Sequence, residues 1–197
     1  MIQSDKIDSY MDIKYRANLL INFTIKRLAE IFGIIVFSVG IFLLIALLSY
    51  SAEDPNFIFP SDTEIKNILG FQGSFISDLF FQSVGLISYL ISLTLIITGI
   101  NIFKTKDFFL IIENIFFTTI YSILGTLFLS HFYQSAFTLY IYGNGGFIGS
   151  YLDRTFLVSI ISINETIFYY VLIFLIFILF LLSINFHLIK TYKIFKK

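Results

Sequence analysis

Four stretches of this chain carry no charged residue: 31–52, 79–103, 114–130 and 166–186. They run for 22, 25, 17 and 21 residues. A helix of about 20 mostly apolar residues crosses the hydrocarbon core of a bilayer. In lipid the backbone must satisfy its own hydrogen bonds, so only helices and closed barrels can cross. Runs of this length without period-two alternation point to helices. The third run is the shortest, and residues 108–112 extend it past Glu113. The expected fold is an all-α integral membrane protein with four transmembrane helices near 31–51, 79–103, 108–131 and 164–187.

Composition agrees. The chain is 57% hydrophobic and 13% charged, against about 25% charged in soluble domains. A single soluble core of 197 residues could not bury so much apolar surface. The formal net charge is zero, which provides no bulk basic field for nucleic acid. Cysteine is absent, which excludes disulfides and Cys-ligated zinc. Ahead of the first run lie about 30 mixed polar residues, too many for a signal peptide, and no A-x-A site follows it. The run reads as a retained anchor.

Eleven of the thirteen Lys and Arg fall in three segments that alternate with the other loops. These are the tail 1–30 (Lys6, Lys14, Arg16, Lys26, Arg27), the turn with Lys104 and Lys106, and the end 188–197 with Lys190, Lys193, Lys196 and Lys197. Lys66 and Arg154 lie on the other side. The positive-inside rule then predicts both termini in the cytoplasm and two external loops. The chain divides into a cytoplasmic tail at 1–30, a membrane domain at 31–187 and a basic tail or linker start at 188–197.

The external loops echo each other. GFQGSFISDL begins at Gly70 and GFIGSYLDR at Gly146, and in each an Asp, Asp78 or Asp153, comes shortly after the shared G-F-x-G-S-aromatic start. The spacing is consistent with two related hairpins, each with a short interfacial helix. In such helices Phe71 with Phe75, and Phe147 with Tyr151, share a face, and Ser74 or Ser150 is a candidate N-cap. Small residues give helices in lipid their contact surfaces. Gly85, Ser88, Ser92 and Gly99 form a stripe on the second span, Thr118, Ser122 and Gly125 one on the third, and Gly33 and Gly40 lie seven apart on the first. The stripes predict close packing of spans two and three, with span four turned to lipid or a partner.

Catalytic patterns are missing. There is no H-E-x-x-H, no G-x-S-x-G and no phosphate loop, and the Gly-rich run at 143–149 has no Lys after it. His131 and His187 lie near opposite ends of spans, too far apart to share a metal. Glu113 and Glu165 sit near span ends rather than at mid-membrane. No catalytic, cofactor-binding or metal-binding residue is expected.

SYSAEDPNF, residues 49–57, leaves the first span, and its Pro and acidic pair end the helix. Its letters Ser49, Tyr50, Ser51, Asp54, Pro55 and Phe57 resemble the S-Y-S-x-x-D-P-S-F signature of the FtsK/SpoIIIE DNA translocases, with Asn56 replacing the usual Ser. Asn67, Gly70, Gly73, Asp78, Leu79, Gln82, Gly85, Leu86, Tyr89 and Leu90 resemble that family's run into its second span. Gly145, Gly146 and Gly149 resemble its second external loop, while residues 133–142 match no part of the family pattern. The resemblance covers roughly residues 25–190. It implies the membrane anchor of a hexameric, ATP-driven DNA pump at the division septum, acting in chromosome partition. It also implies a homo-oligomer, contacts with other division proteins and membrane lipids, and an inner-membrane location enriched at the septum. The family's motor is not seen before Lys197, so DNA and ATP would be met only through a motor outside this chain, and no enzyme activity is expected of it. The rival reading is a small multipass transporter or channel subunit with a polar path built from Asn101, Asn114 and the serine stripe.

Overall fold

The computed structural model describes residues 2–55, 64–134 and 142–185, apart from the side chains of 2–14, 16 and 17. Asn56, Phe57, most of 133–142, His187 and the basic end 188–197 lie outside the described residues. Every described element is helical: α1 (Ile2–Leu48), α2 (Gly70–Val84), a 3-10 turn (Gly85–Ile87), α3 (Ser88–Thr105), α4 (Leu110–Phe132), α5 (Gly146–Leu152), α6 (Phe156–Ile161) and α7 (Glu165–Ser183). Four stretches are long and apolar enough to cross a membrane: Asn18–Leu48, Gly70–Thr105, Leu110–Phe132 and Glu165–Ser183.

The second span differs from the uninterrupted helix expected at 79–103. It is broken at Gly85, whose φ of 62° and ψ of −142° lie outside any helical region. The break is held from outside the span, because the Leu86 N–H donates to the Asn144 carbonyl at 2.9 Å. A Cβ on Gly85 would collide with that carbonyl. The 18 residues of α3 rise about 27 Å. That is close to the roughly 30 Å of a bilayer core, so α3 alone supplies the crossing. The helix α2 begins nine residues earlier than the expected span, at Gly70 rather than Leu79.

Helix pairing also corrects the packing expected from the small-residue stripes. The most extensive interface joins α1 to α3, the next joins α4 to α7, and α3 meets α4 over a smaller surface. A Cβ on Gly33 would come 2.7 Å from Phe103 N and 2.8 Å from Gly99 O. One on Gly40 would come 2.7 Å from Ile96 N. With glycines on both surfaces the two backbones approach closely, which is how helices gain contact where lipid removes any hydrophobic drive. The Tyr89 hydroxyl, farther along, donates to the Leu47 carbonyl at 3.2 Å. The pairing of 33 with 99, 40 with 96 and 47 with 89 makes α1 and α3 antiparallel.

Ser88 and Ser92 bond back to their own helix, to Gly85 O at 2.6 Å and Tyr89 O at 2.8 Å. On α4, Gly125 receives the side chain of Ile87, and Thr118 bonds Tyr121. Ser122 Oγ is buried with no hydrogen-bond partner among the described residues. Side chains from three helices join α3, α4 and the end of α7. The Thr94 and Tyr121 hydroxyls lie 2.9 Å apart, Asn114 Nδ2 donates to Thr98 Oγ1 at 2.7 Å, and Asn185 Nδ2 donates to Asn114 Oδ1 at 2.7 Å. Asn101 Nδ2 donates to the Ile184 carbonyl at 2.9 Å. The amides named for a polar path thus tie helices to one another. At the same end, Glu30 takes Lys106 at 2.8 Å and Arg27. Helix α7 buries only Leu172 and Ser183 and turns residues such as Phe174 and Phe177 outward.

Gly99→Leu should separate α1 from α3, because its Cβ already has no room against Phe37 and the Gly33 carbonyl. The expected loss is about 2–3 kcal/mol, read as an earlier unfolding transition of the purified chain in detergent. The same change at the outward-facing Ile167 should leave the transition in place.

Candidate functional site: the loop-bearing end of the bundle

Leu48, Gly70, Ser88 and Asn144 gather at one end of the helices, and the loop letters singled out from the sequence meet there. The carboxylate of Asp54 is the centre. It accepts the backbone N–H of Lys66 at 2.8 Å and that of Asn67 at 2.9 Å, which closes the first loop across 12 and 13 residues. Asp54 is 1% exposed. Asn67 carries the closure to the helix. Its Nδ2 donates to the Ala46 carbonyl at 2.9 Å, one of the groups a helix C-terminus leaves unpaired. Its Oδ1 accepts from Leu69 N at 3.0 Å. A Cβ on Gly73 would collide with that same Oδ1, so only glycine fits. Ser49 Oγ accepts from Ile68 N at 3.3 Å, and Ser74 Oγ donates to the buried Pro55 carbonyl at 3.0 Å. Ser74 therefore lies inside α2 and ties it to the loop instead of capping it. The helix starts four residues earlier, at Gly70, with no side-chain cap. Ser150 likewise lies inside α5, donating to Phe147 O at 3.0 Å.

The second loop follows the same plan. Gly70 and Gly146 both open their helices at φ +65°, a region open to glycine and strained for other residues. The residues ahead of them also agree, with φ and ψ of −89° and 13° at Leu69 and −91° and −2° at Gly145. Phe71 stacks on Phe75 at 6.4 Å and 22°, and Phe147 on Tyr151 at 6.4 Å and 26°. The two acids correspond as well. Asp78 accepts from the Tyr50 hydroxyl at 3.1 Å, just past the end of α1. Asp153 pairs with His131 Nδ1 at 2.9 Å, in the last turn of α4. In each hairpin an acid, inside α2 in the first and just past α5 in the second, latches the loop helix to the span before or its end. The halves then dock: α2 packs on α5, and a Cβ on Gly146 would meet Gly85 N at 2.7 Å. Gly145 and Gly149 lie against Thr126 and Ser130 of α4.

The conserved description of one protein family, the 4TM region of DNA translocase FtsK/SpoIIIE, matches residues 25–196. The chain belongs to that family. It is 33% identical to a DNA translocase FtsK of Rickettsia prowazekii over 69 residues, 35% of this chain and 9% of that protein. It is 39% identical to one of Caulobacter vibrioides over 69 residues, 35% of this chain and 8% of that one. With one of Azospirillum brasilense it shares 28% over 112 residues, 56% of this chain and 17% of that protein. The chain thus spans less than a fifth of the length of these curated relatives. No solved structure matches it.

In this FtsK/SpoIIIE membrane region the described signature letters act in closing a loop. Ser49, Tyr50, Asp54, Pro55, Asn67, Gly73 and Asp78 are tied together, and Ser51 Oγ accepts from Glu53 N at 3.4 Å. Glu53 and Lys66 form an exposed ion pair. The hydrogen bond from Lys66, then its charge, holds the Glu53 carboxyl below the usual carboxylate range, and Glu53 raises Lys66. Because the folded value of Glu53 is lowered, its contribution is present above the unfolded carboxylate pKa and lost as pH falls through the lower value. Solvent screening keeps that contribution small. Among the described residues no group of three or more His, Asp or Glu is placed to hold a metal. Sequence reasoning passed over Asn144 and the His131–Asp153 pair. Asn144 stands inside the Gly-rich run, whose glycines alone carry the likeness to the family's second external loop, and His131 and Asp153 are 22 residues apart in the chain.

Asp54→Ala strands the buried N–H of Asn67 and the part-buried N–H of Lys66. It should lower stability by about 2–4 kcal/mol and open the first loop to protease added to the purified chain. Glu53→Gln should leave both the melting temperature and the cleavage pattern unchanged.

Proposed function

We propose that this chain is the membrane anchor and assembly region of a septal DNA translocase, acting in cell division and chromosome partition. Family membership over residues 25–196 carries the reading. The chemistry is consistent with it: the ordered polar groups close loops and join helices, and their partners are other parts of the chain. The motor, with its ATP and DNA, belongs to the remainder of a full-length translocase, and this region contributes attachment, oligomerisation and contact with other division proteins. Lys104 and Lys106 share an end of the bundle with Arg27, and Lys66 and Arg154 lie at the opposite end with the loops. By the positive-inside rule both termini face the cytoplasm and the Asp54 clamp faces outward. The α2 and α5 aromatic pairs then lie in the outer interface, where aromatic rings are favoured. The lysines of 188–197 face anionic lipid, each adding about 1 kcal/mol near the surface. The transporter reading is weakened by the engagement of Asn101 and Asn114 in helix-to-helix hydrogen bonds.

A fluorescent protein that matures only in the cytoplasm, fused after Lys197 and imaged in dividing cells, tests location and orientation together. A bright band at midcell is the expected result. A dark fusion at normal expression would overturn the orientation, and an even membrane signal would overturn septal assembly by this region alone. Solute or ion flux in vesicles holding the purified chain would instead support the transporter.

A further inference from the structure

Two adjoining apolar clefts open between α3, α4 and α7 on the loop side of the bundle. One, of about 390 Å³, runs among Ile87, Leu90, Ile176 and Phe180, and the other, of about 330 Å³, reaches Tyr133, Tyr169 and Asn144. They share Phe128, Leu129 and Ile173. At the polar end Asn144 is 1% exposed. Its Nδ2 donates to Tyr133 O at 2.6 Å and its carbonyl accepts from Leu86 N at 2.9 Å. Its Oδ1 is buried with no hydrogen-bond partner among the described residues. A buried amide oxygen left unpaired is costly, so a donor is wanted there. The Tyr133 and Tyr169 hydroxyls lie 2.7 Å apart and bond each other, which uses one of their two protons, and neither hydrogen-bonds Asn144 Oδ1.

We propose that these clefts hold one phospholipid with an ethanolamine headgroup, one of its two acyl chains lying along the clefts and its ammonium donating to Asn144 Oδ1. Three observations select this occupant. Depth is the first: Asn144 is bonded to Leu86, just ahead of the bilayer-length helix α3, which places its oxygen at the boundary between headgroup and hydrocarbon. Volume is the second. A partner helix is about 10–12 Å across, so even 15 Å of it fills roughly 1,400 Å³, more than both clefts together offer. A single acyl chain is far thinner. Charge is the third. At this end Glu53, Asp54, Asp78, Asp153 and Glu165 outnumber Lys66 and Arg154, which favours a cationic donor over a purely anionic headgroup. An oxygen that can only accept also bonds an ammonium more strongly than a neutral headgroup hydroxyl.

The test is native mass spectrometry of the full chain in detergent, with phosphatidylethanolamine and phosphatidylglycerol added in equal amounts. One retained phosphatidylethanolamine per chain is expected. Its excess over phosphatidylglycerol should be about fivefold to tenfold, the margin of a charged donor over the neutral hydroxyl of the glycerol headgroup. Asn144→Ala should remove that excess. Asn144 also holds Tyr133, so a second variant keeps the outcome readable. Ile173→Trp fills the shared part of the clefts from a residue that is itself 40% exposed, and it should abolish the adduct while leaving the melting temperature unchanged. Equal retention of the two lipids would mean annular lipid only and overturn the proposal. So would an adduct indifferent to Ile173→Trp, or a chain dimer that this variant dissolves, which would make a second copy the occupant. None of these results depends on septal location or on which way the termini face.

Discussion

The close antiparallel approach of α1 and α3 sets the geometry on which the rest depends. Gly33 and Gly40 on one helix, and Gly99 on the other, bring backbone against backbone. Within lipid there is no water to expel, so contact must come from surfaces that fit. The approach aligns Leu47 with Tyr89 and packs Leu43, Leu47 and Phe81 into one buried cluster flanked by Tyr50 and Tyr89. Because α3 follows α1 so closely, the 15 residues of α2 cannot lie along the same path. They turn away at Gly85 and form the loop-bearing end.

At that end the chain meets the hardest local demand, the pairing of backbone groups beside a bilayer boundary. Asp54 takes two N–H groups, Asn67 returns a hydrogen bond to the end of α1, and Asn144 holds the broken second span. The second hairpin reaches a comparable result with fewer polar atoms. Its glycines, Gly145 and Gly149, press directly on α4 where the first hairpin uses the Asn67 amide against Gly73. Likeness of the two halves therefore resides in the glycine start at φ +65°, the aromatic pair and the acid that latches back. Their loop closures differ.

Much of the fold was legible from the letters, and for stated reasons. Charge-free length marks a helix in lipid regardless of what it packs against, and four apolar helical stretches cover most of the four charge-free runs, although the first begins well ahead of residue 31 and the second is broken at Gly85. Small residues marked surfaces of contact, but not partners. Gly99 could have met α4 as readily as α1, since a glycine is equally accommodating to either. Ser74 shows the same limit: a serine near a helix start fits a cap, yet its hydroxyl went to Pro55, which only the folded loop brings near. The signature run from Ser49 to Asp78 could be recognised as a pattern, whereas its physical meaning needed coordinates, because Asp54 and Asn67 are 13 residues apart.

The sequence by itself determined the membrane class, the number of spans, the family and the echo between loops, because each rests on local composition or on spacing along the chain. The tertiary structure decided the rest. It chose α1 for α3 and α4 for α7, it broke the second span by setting the Asn144 carbonyl against Gly85, and it left one amide oxygen buried beside an apolar cleft. Those outcomes turn on contacts between segments distant in the chain, where an ångström of backbone approach separates a fit from a collision.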